Sequence, residues 1–192
     1  MNIAANLVYS WQKGEIPDEI CNYIISTTDD NLYQKGKVVG SRLSFKRNVD
    51  LQFNYNNWIN ALLIGYIRYA NYHNFHYDLS DEDKEPAQVS KYSVSEYYGE
   101  HVDFGRDFNL TRKLSLTVQL SDENDYEGGD LKFYTGIWNP SIEASEETYA
   151  QASRGKGSVI VFDSRLFHEI TPVIKGTRYS LVKWYHGDEP LK

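Results

Sequence analysis

Lys113-Leu-Ser-Leu-Thr-Val-Gln-Leu120 alternates strictly, with Leu114, Leu116, Val118 and Leu120 on one face and Ser115, Thr117 and Gln119 on the other. A period of two marks a strand whose faces meet different surroundings. Residues 157–162 (GSVIVF) and 177–185 (TRYSLVKWY) read as further strands, and Gly128-Gly129 reads as a turn before residues 130–134. Short strands at close spacing with turn residues between them predict an antiparallel barrel or jelly roll. Upstream the period changes. Pro17-Asp18-Glu19 places a proline and two acids at a helix start, followed by Ile20, Cys21, Ile24 and Ile25 at helical spacing. Residues 57–70 predict a longer helix, its stripe formed by Trp58, Leu62, Gly65 and Tyr69 and widened by Ile59, Leu63 and Tyr66. Residues 37–54 predict one or two strands. Residues 78–87 and 135–156 are polar and acidic and read as exposed loops, the second long enough for a mobile lid or a surface insertion.

Composition bounds the answer. A chain of 192 residues suits one domain, and at that size folding buries roughly 70% of the unfolded surface, so no disulfide or metal is needed to build a core. Twenty Lys and Arg against 27 Asp and Glu leave a net charge of −7. That balance disfavours nucleic acid, which calls for a basic stripe. The single cysteine, Cys21, excludes an internal disulfide and fits a reducing compartment. Residues 1–11 lack the basic and long apolar regions of a signal peptide, and no run is long enough to cross a bilayer. The expectation is a soluble, cytoplasmic single domain without membrane or nucleic-acid partners; the oligomeric state is left open.

The chemistry lies in a few polar residues. His101-Val102-Asp103 is an H-x-D triplet, and on a strand its imidazole and carboxylate would share a face. His168 follows just after the apolar strand 157–162. Two histidines and one carboxylate on one side of an ion form the facial triad of non-haem Fe(II) oxygenases. Alone, an H-x-D is weak evidence, and a hydrogen-bonded or surface role is the reading for His73, His76 and His186. Arg178 and Ser180 share a strand face further on. A guanidinium beside a hydroxyl is a carboxylate clamp, because the planar fork takes both oxygens.

Four motifs in order carry a resemblance: Tyr98-Gly-Glu-His-Val-Asp103, Asp125-Tyr-Glu-Gly-Gly-Asp-Leu131, His168-Glu-Ile-Thr-Pro-Val173 and Gly176-Thr-Arg-Tyr-Ser180. Together they resemble the prolyl 4-hydroxylase-like branch of the Fe(II)/2-oxoglutarate-dependent dioxygenases, most of all PKHD-type hydroxylases and their phage-borne relatives. The match covers residues 89–186, with a looser likeness upstream.

The resemblance implies a mainly β fold with flanking helices, a double-stranded β-helix of jelly-roll or cupin type. It implies one domain over 1–192, with 1–88 a mostly helical support and 89–188 catalytic. His101, Asp103 and His168 would ligate Fe(II). Arg178 would bind the far carboxylate of 2-oxoglutarate with Ser180 or Thr171 assisting, and Tyr92 and Gln119 would face that co-substrate. The implied reaction consumes 2-oxoglutarate and O₂, releases succinate and CO₂, and hydroxylates an aliphatic C–H; ascorbate is an auxiliary reductant whose requirement the resemblance leaves open. A prolyl residue in a peptide or protein is the favoured substrate; a free amino acid or small metabolite comes next. Rim loops 104–112 and 135–156 would choose it. The sequence departs from the family pattern in lacking a glycine between Tyr92 and Tyr97, and in the Phe167 and Glu169 that flank the second histidine. A metal-free jelly-roll binding module is the enzyme-free alternative, opposed by the intact triad and arginine. A halogenase is opposed by Asp103, since that variant replaces the carboxylate by a small residue.

Overall fold

The computed structural model describes residues 7–36, 47–105, 110–134 and 149–189. Among the described residues, fourteen strands and two α-helices run in the order β1 (Val8–Trp11), α1 (Asp18–Ser26), β2 (Gln34–Lys35), β3 (Arg47–Asn48), β4 (Asp50–Asn54), α2 (Asn57–Ala70), β5 (Ala87–Tyr92), β6 (Tyr97–His101) and β7 (Arg112–Gln119). There follow β8 (Tyr126–Gly128), β9 (Leu131–Tyr134), β10 (Tyr149–Gln151), β11 (Val159–Asp163), β12 (His168–Ile170), β13 (Val173–Gly176) and β14 (Arg178–His186).

A large sheet in the order β1-β11-β7-β14-β5-β4-β2 faces a smaller one in the order β10-β9-β12-β6-β3, and β13 and β8 form a separate pair. Every described pairing is antiparallel. The central runs β11-β7-β14-β5 and β10-β9-β12-β6 are the eight strands of a double-stranded β-helix. Among the described residues no helix is long and apolar enough to span a membrane.

The two faces of β7 decide the layering. Leu114, Leu116, Val118 and Leu120 are fully buried against Cys21, Ile24, Ile59, Leu63 and Ile67 of the helices. The opposite face, Ser115, Thr117 and Gln119, turns into the space between the sheets. β11 has no polar face because it is covered twice: Val159 and Val161 join the helix-side core, while Ile160 and Phe162 join the inter-sheet core with Tyr92, Leu131, Phe133 and Ile170. Burial of each such side chain contributes about 1.5–3 kcal/mol, which fixes the strand against sliding by one residue.

One expectation needs correction. The buried stripe of α2 is Ile59, Leu63, Ile67 and Ala70, whereas Trp58 and Tyr69 are about half exposed. The compact aliphatics fit the sheet, and the aromatics fall to the flanks, where Trp58 meets Tyr23 and Tyr69 meets Trp11. The first 88 residues, expected to be mostly helical with one or two strands over 37–54, contribute β1, β2 and β4 to the large sheet and β3 to the small one. Residues 135–148 of the expected lid lie outside the described residues, as do 106–109 of the other rim loop. The remainder of the expected lid is tied down. β10 pairs with β9, and Arg154 holds Asp130 and donates to the Gly128 and Tyr126 carbonyls.

Candidate active site

His101 closes β6, His168 opens β12, and antiparallel pairing sets them directly opposite each other, with ring centroids 4.1 Å apart. Asp103 is not on the strand. The chain bends after His101, and the Asp103 and Phe104 amides both donate to the Ser164 carbonyl, at 2.9 and 2.8 Å. This bend, rather than strand alternation, turns the carboxylate toward the histidines. Its oxygens lie 3.7 Å from Nε2 of each. All three offer a ligand atom within 4.8 Å of the others.

Both imidazoles are held by their other nitrogen. Nδ1 of His101 meets the Gly99 carbonyl at 2.8 Å, and Nδ1 of His168 meets that of Leu166 at 2.9 Å. A carbonyl only accepts, so each Nδ1 carries the proton and each Nε2 turns a lone pair inward. Burial, and then the neighbouring His168, push the His101 pKa down to about 3. Burial alone would raise that of Asp103, but His168, His101, Arg112 and a hydrogen bond from Ser115 bring it down to about 2. Neutral imidazoles and an ionised carboxylate are the forms that bind a divalent ion.

The cavity beside the triad is walled by Tyr92, Tyr98, Thr117, Ser180 and Trp184. Tyr98 stacks on the His101 ring at 3.5 Å between centroids and an interplanar angle of 14°. Arg178 is 1% exposed. Its guanidinium donates to Ser180 Oγ at 3.2 Å and Gln119 Oε1 at 2.9 Å and lies 5.3 Å from the centre of the Tyr92 ring. No carboxylate among the described residues pairs with it, and its Nε has no partner. A buried, uncompensated cation is costly, so this clamp fits an anionic ligand. Gly129, at φ +62°, underlies it: a Cβ there would stand 3.1 Å from Arg178 Cδ.

The structure thus gathers His101, Asp103, His168, Tyr92 and Ser180 around one cavity, with Arg178 and Gln119 bonded at its polar end. Thr171 lies elsewhere: its hydroxyl accepts the Asp130 amide at 2.8 Å and steadies the β8–β9 turn. His73 lies tilted against Tyr69 and edge-on to Tyr72, and His76 closes a helical turn at φ +58°.

Sequence reading missed Arg112, Glu85 and Trp184. Arg112 makes two bonds to the Glu85 carboxylate, at 2.7 and 2.6 Å, donates to the Asp103 carbonyl at 3.2 Å, and lies 4.2 Å over the Trp184 ring. Glu85 also meets His186 Nε2 at 2.6 Å. The acidic stretch 78–87 is therefore not simply an exposed loop. Only alternation along β14, which puts Trp184 on the face of Arg178 and Ser180, could have flagged one of the three.

Burial disfavours the Glu85 anion, but the bonds from His186 and Arg112 outweigh it and hold the pKa below 4.5. A carboxylate depressed in the folded state contributes stability above its unfolded pKa and loses it as the pH falls through the folded one. Glu85→Ala is expected to cost about 3–5 kcal/mol at pH 7, because it removes the buried carboxylate that Arg112 and His186 share. The gap between wild type and variant in urea unfolding should shrink as the pH drops below 4.5. An equal gap at pH 7 and pH 3 would show that charge is not what Glu85 contributes.

Comparison with known proteins gives a consistent picture. Residues 87–186 match the family model described as the 2OG-Fe(II) oxygenase superfamily. A PKHD-type hydroxylase of Synechococcus sp. (strain CC9605) is 41% identical over 96 residues, half of this chain and 39% of that protein. One from Alteromonas mediterranea is 34% identical over 105 residues, 52% of this chain and 42% of that protein. The match thus spans about two fifths of these curated relatives. Among solved structures, a Pseudomonas putida prolyl-4-hydroxylase superposes with a TM-score of 0.71 at 16% identity, covering 98% of this chain and 96% of that one. The viral collagen prolyl hydroxylase of Paramecium Bursaria Chlorella virus-1 gives 0.67 at 18% identity, covering 96% and 98%.

Proposed function

The chain belongs to the 2OG-Fe(II) oxygenase superfamily, and on that premise we propose that it hydroxylates a prolyl residue of a peptide or protein, with Fe(II), 2-oxoglutarate and O₂. His101, Asp103 and His168 would hold the iron by one face. Arg178, with Ser180 and Gln119, would hold the far carboxylate of 2-oxoglutarate. Iron held there would supply O₂ activation, with the electrons coming from the 2-oxo acid, one oxygen atom ending in succinate and the other in the new substrate hydroxyl.

The chain's own part is positioning and exclusion of water. Arg112 holds the Asp103 bend by its carbonyl and the Trp184 ring by its face, so one side chain sets the metal ligand and the cavity wall together. Tyr98 and Trp184 present aromatic surface beside the triad, which suits the C–H bonds of a pyrrolidine ring. The Trp184 Nε1–H is buried without a partner and can donate to a peptide carbonyl of the substrate.

The buried Arg178 cation carries this reading, since a dicarboxylate bound to a metal at the triad would supply its missing anion. The prolyl hydroxylase names of the similar structures support the substrate class. Succinate formation should rise on adding a proline-rich peptide, with ascorbate as reductant, and the peptide should gain one oxygen atom in its mass. Stimulation by free amino acids alone would replace the peptide with a small metabolite.

A further inference from the structure

We propose that Arg154 is a positioning residue for the co-substrate clamp: it fixes the Gly128-Gly129 turn on which the stem of Arg178 rests, and so sets how far from the triad a dicarboxylate is gripped. This rests on the reading of Arg178 given above. Gly128 and Gly129 both have positive φ, +71° and +62°, a region glycine enters at no steric cost. No ladder joins the two strands that the turn connects, since β8 pairs with β13 whereas β9 pairs with β12 and β10. A permissive glycine pair in that position has to be fixed from outside. On one side the Gly129 amide donates to the Pro172 carbonyl at 3.1 Å, and the Thr171 hydroxyl accepts the Asp130 amide at 2.8 Å. On the other side stands Arg154. Its guanidinium donates to the Tyr126 and Gly128 carbonyls, each at 2.8 Å, and pairs with the Asp130 carboxylate. It also lies 4.3 Å from the centre of the Tyr126 ring. One planar fork therefore spans the whole turn, from Tyr126 to Asp130.

What rests on the turn gives Arg154 its role. A Cβ on Gly129 would stand 3.1 Å from Arg178 Cδ and 3.0 Å from Val173 Cγ2, so the backbone itself is packed against the Arg178 stem. Among the described residues Arg178 Nε has no partner, and the guanidinium is bonded only at its tip, to Ser180 and Gln119. Packing on the turn, rather than a bond at Nε, thus aims the stem. A turn released by Arg154 would let the tip shift relative to the triad, and with it the span that a bound dicarboxylate must bridge.

The test measures Kd for 2-oxoglutarate and for 2-oxoadipate, one methylene longer, in the Mn(II)-loaded protein under anaerobic conditions. Arg154→Met should bind 2-oxoglutarate about ten-fold more weakly, less than the roughly 100-fold that a 1 Å misplacement can cost, because Thr171 and Pro172 still hold the turn. 2-Oxoadipate should lose less, so the preference for the shorter acid narrows, which a smaller folded fraction alone would not produce. Arg154→Lys keeps a charge for Asp130 but cannot span both carbonyls, so its affinity should fall between the two, and it reads the proposal should the Met variant not fold. Gln151→Ala, which removes a bond to the same Asp130 carboxylate and none to the turn carbonyls, should match wild type. Manganese affinity without a 2-oxo acid should be the same throughout. Unchanged affinities in both Arg154 variants, equal losses for the two acids, or a loss in Gln151→Ala as large as in Arg154→Met would overturn the role of Arg154 while leaving the clamp intact. Wild-type binding of 2-oxoglutarate by Arg178→Ala, measured beside them, would overturn the clamp itself and this proposal with it.

Discussion

Asp103→Ala protein should fold and yet neither retain iron nor form succinate above background. The carboxylate is the one anionic member of the triad, and the two imidazoles that remain lie 4.1 Å apart between ring centroids without a counter-charge. Loss of a partner that merely orients a ligand costs about 10–100-fold in metal affinity, so loss of the ligand should exceed that range. Folding should survive because Asp103 belongs to neither apolar core. The Asp103 bend is also held by backbone bonds to Ser164 and by Arg112 on its carbonyl, neither of which uses the carboxylate. Mn(II) titration followed by electron paramagnetic resonance reads the affinity directly, since manganese accepts the same ligands. Asp103→Asn should keep the shape and lose most of the binding, as an amide oxygen carries no full charge. Wild-type manganese affinity in Asp103→Ala would place the metal elsewhere.

How much of this site could be read from the sequence depends on how local its causes are. The alternation in β7 was sufficient because one strand carries both answers: leucines against the helices, and a polar row between the sheets. Arg178 and Ser180 were legible for the same reason, being two residues apart on β14. His101 and Asp103 were identified by type and spacing, but the geometry assumed for them was that of a strand. The real one depends on the Ser164 carbonyl, far away in sequence. Glu85 was the hardest case. In an acidic stretch it looks solvated, and the bases that draw it inward, Arg112 and His186, come from strands formed much later in the chain. Of the N-terminal strands, β3 and β4 fall within the 37–54 expectation, whereas β1 and β2 are short edge pieces with no pattern of their own. β1 is four residues long, and its partner is β11. In α2 the large aromatics centre the expected stripe on Trp58 and Tyr69, whereas packing against the leucine face of β7 favours the slimmer Ile59, Leu63 and Ile67.

Arg178→Ala should leave metal binding intact and weaken 2-oxoglutarate more than any other single change among the described residues lining the clamp. Arg178 is not a ligand of the triad, so manganese affinity without 2-oxoglutarate should match wild type. In the Mn(II)-loaded protein under anaerobic conditions, loss of a buried charge-assisted partner costs about 2–5 kcal/mol of binding, or roughly 30-fold to several-thousand-fold in affinity. Arg178→Lys should recover only part of this, because an ammonium cannot hold Ser180, Gln119 and a carboxylate in one plane. The same loss has a thermal signature. At a concentration of 2-oxoglutarate about 100 times the wild-type Kd, binding stabilises the fold by about 2.7 kcal/mol. For a chain of this size that is a rise of roughly 5–10 °C in Tm. If the affinity falls about 100-fold, the same concentration only equals Kd, and the stabilisation drops to about 0.4 kcal/mol. The rise in Tm should then nearly vanish, although the protein without co-substrate should not melt earlier on account of a lost ion pair, because Arg178 makes none with the described residues. Equal affinities in wild type and variant would show that the carboxylate binds elsewhere, and the uncompensated charge of Arg178 would then need another anion.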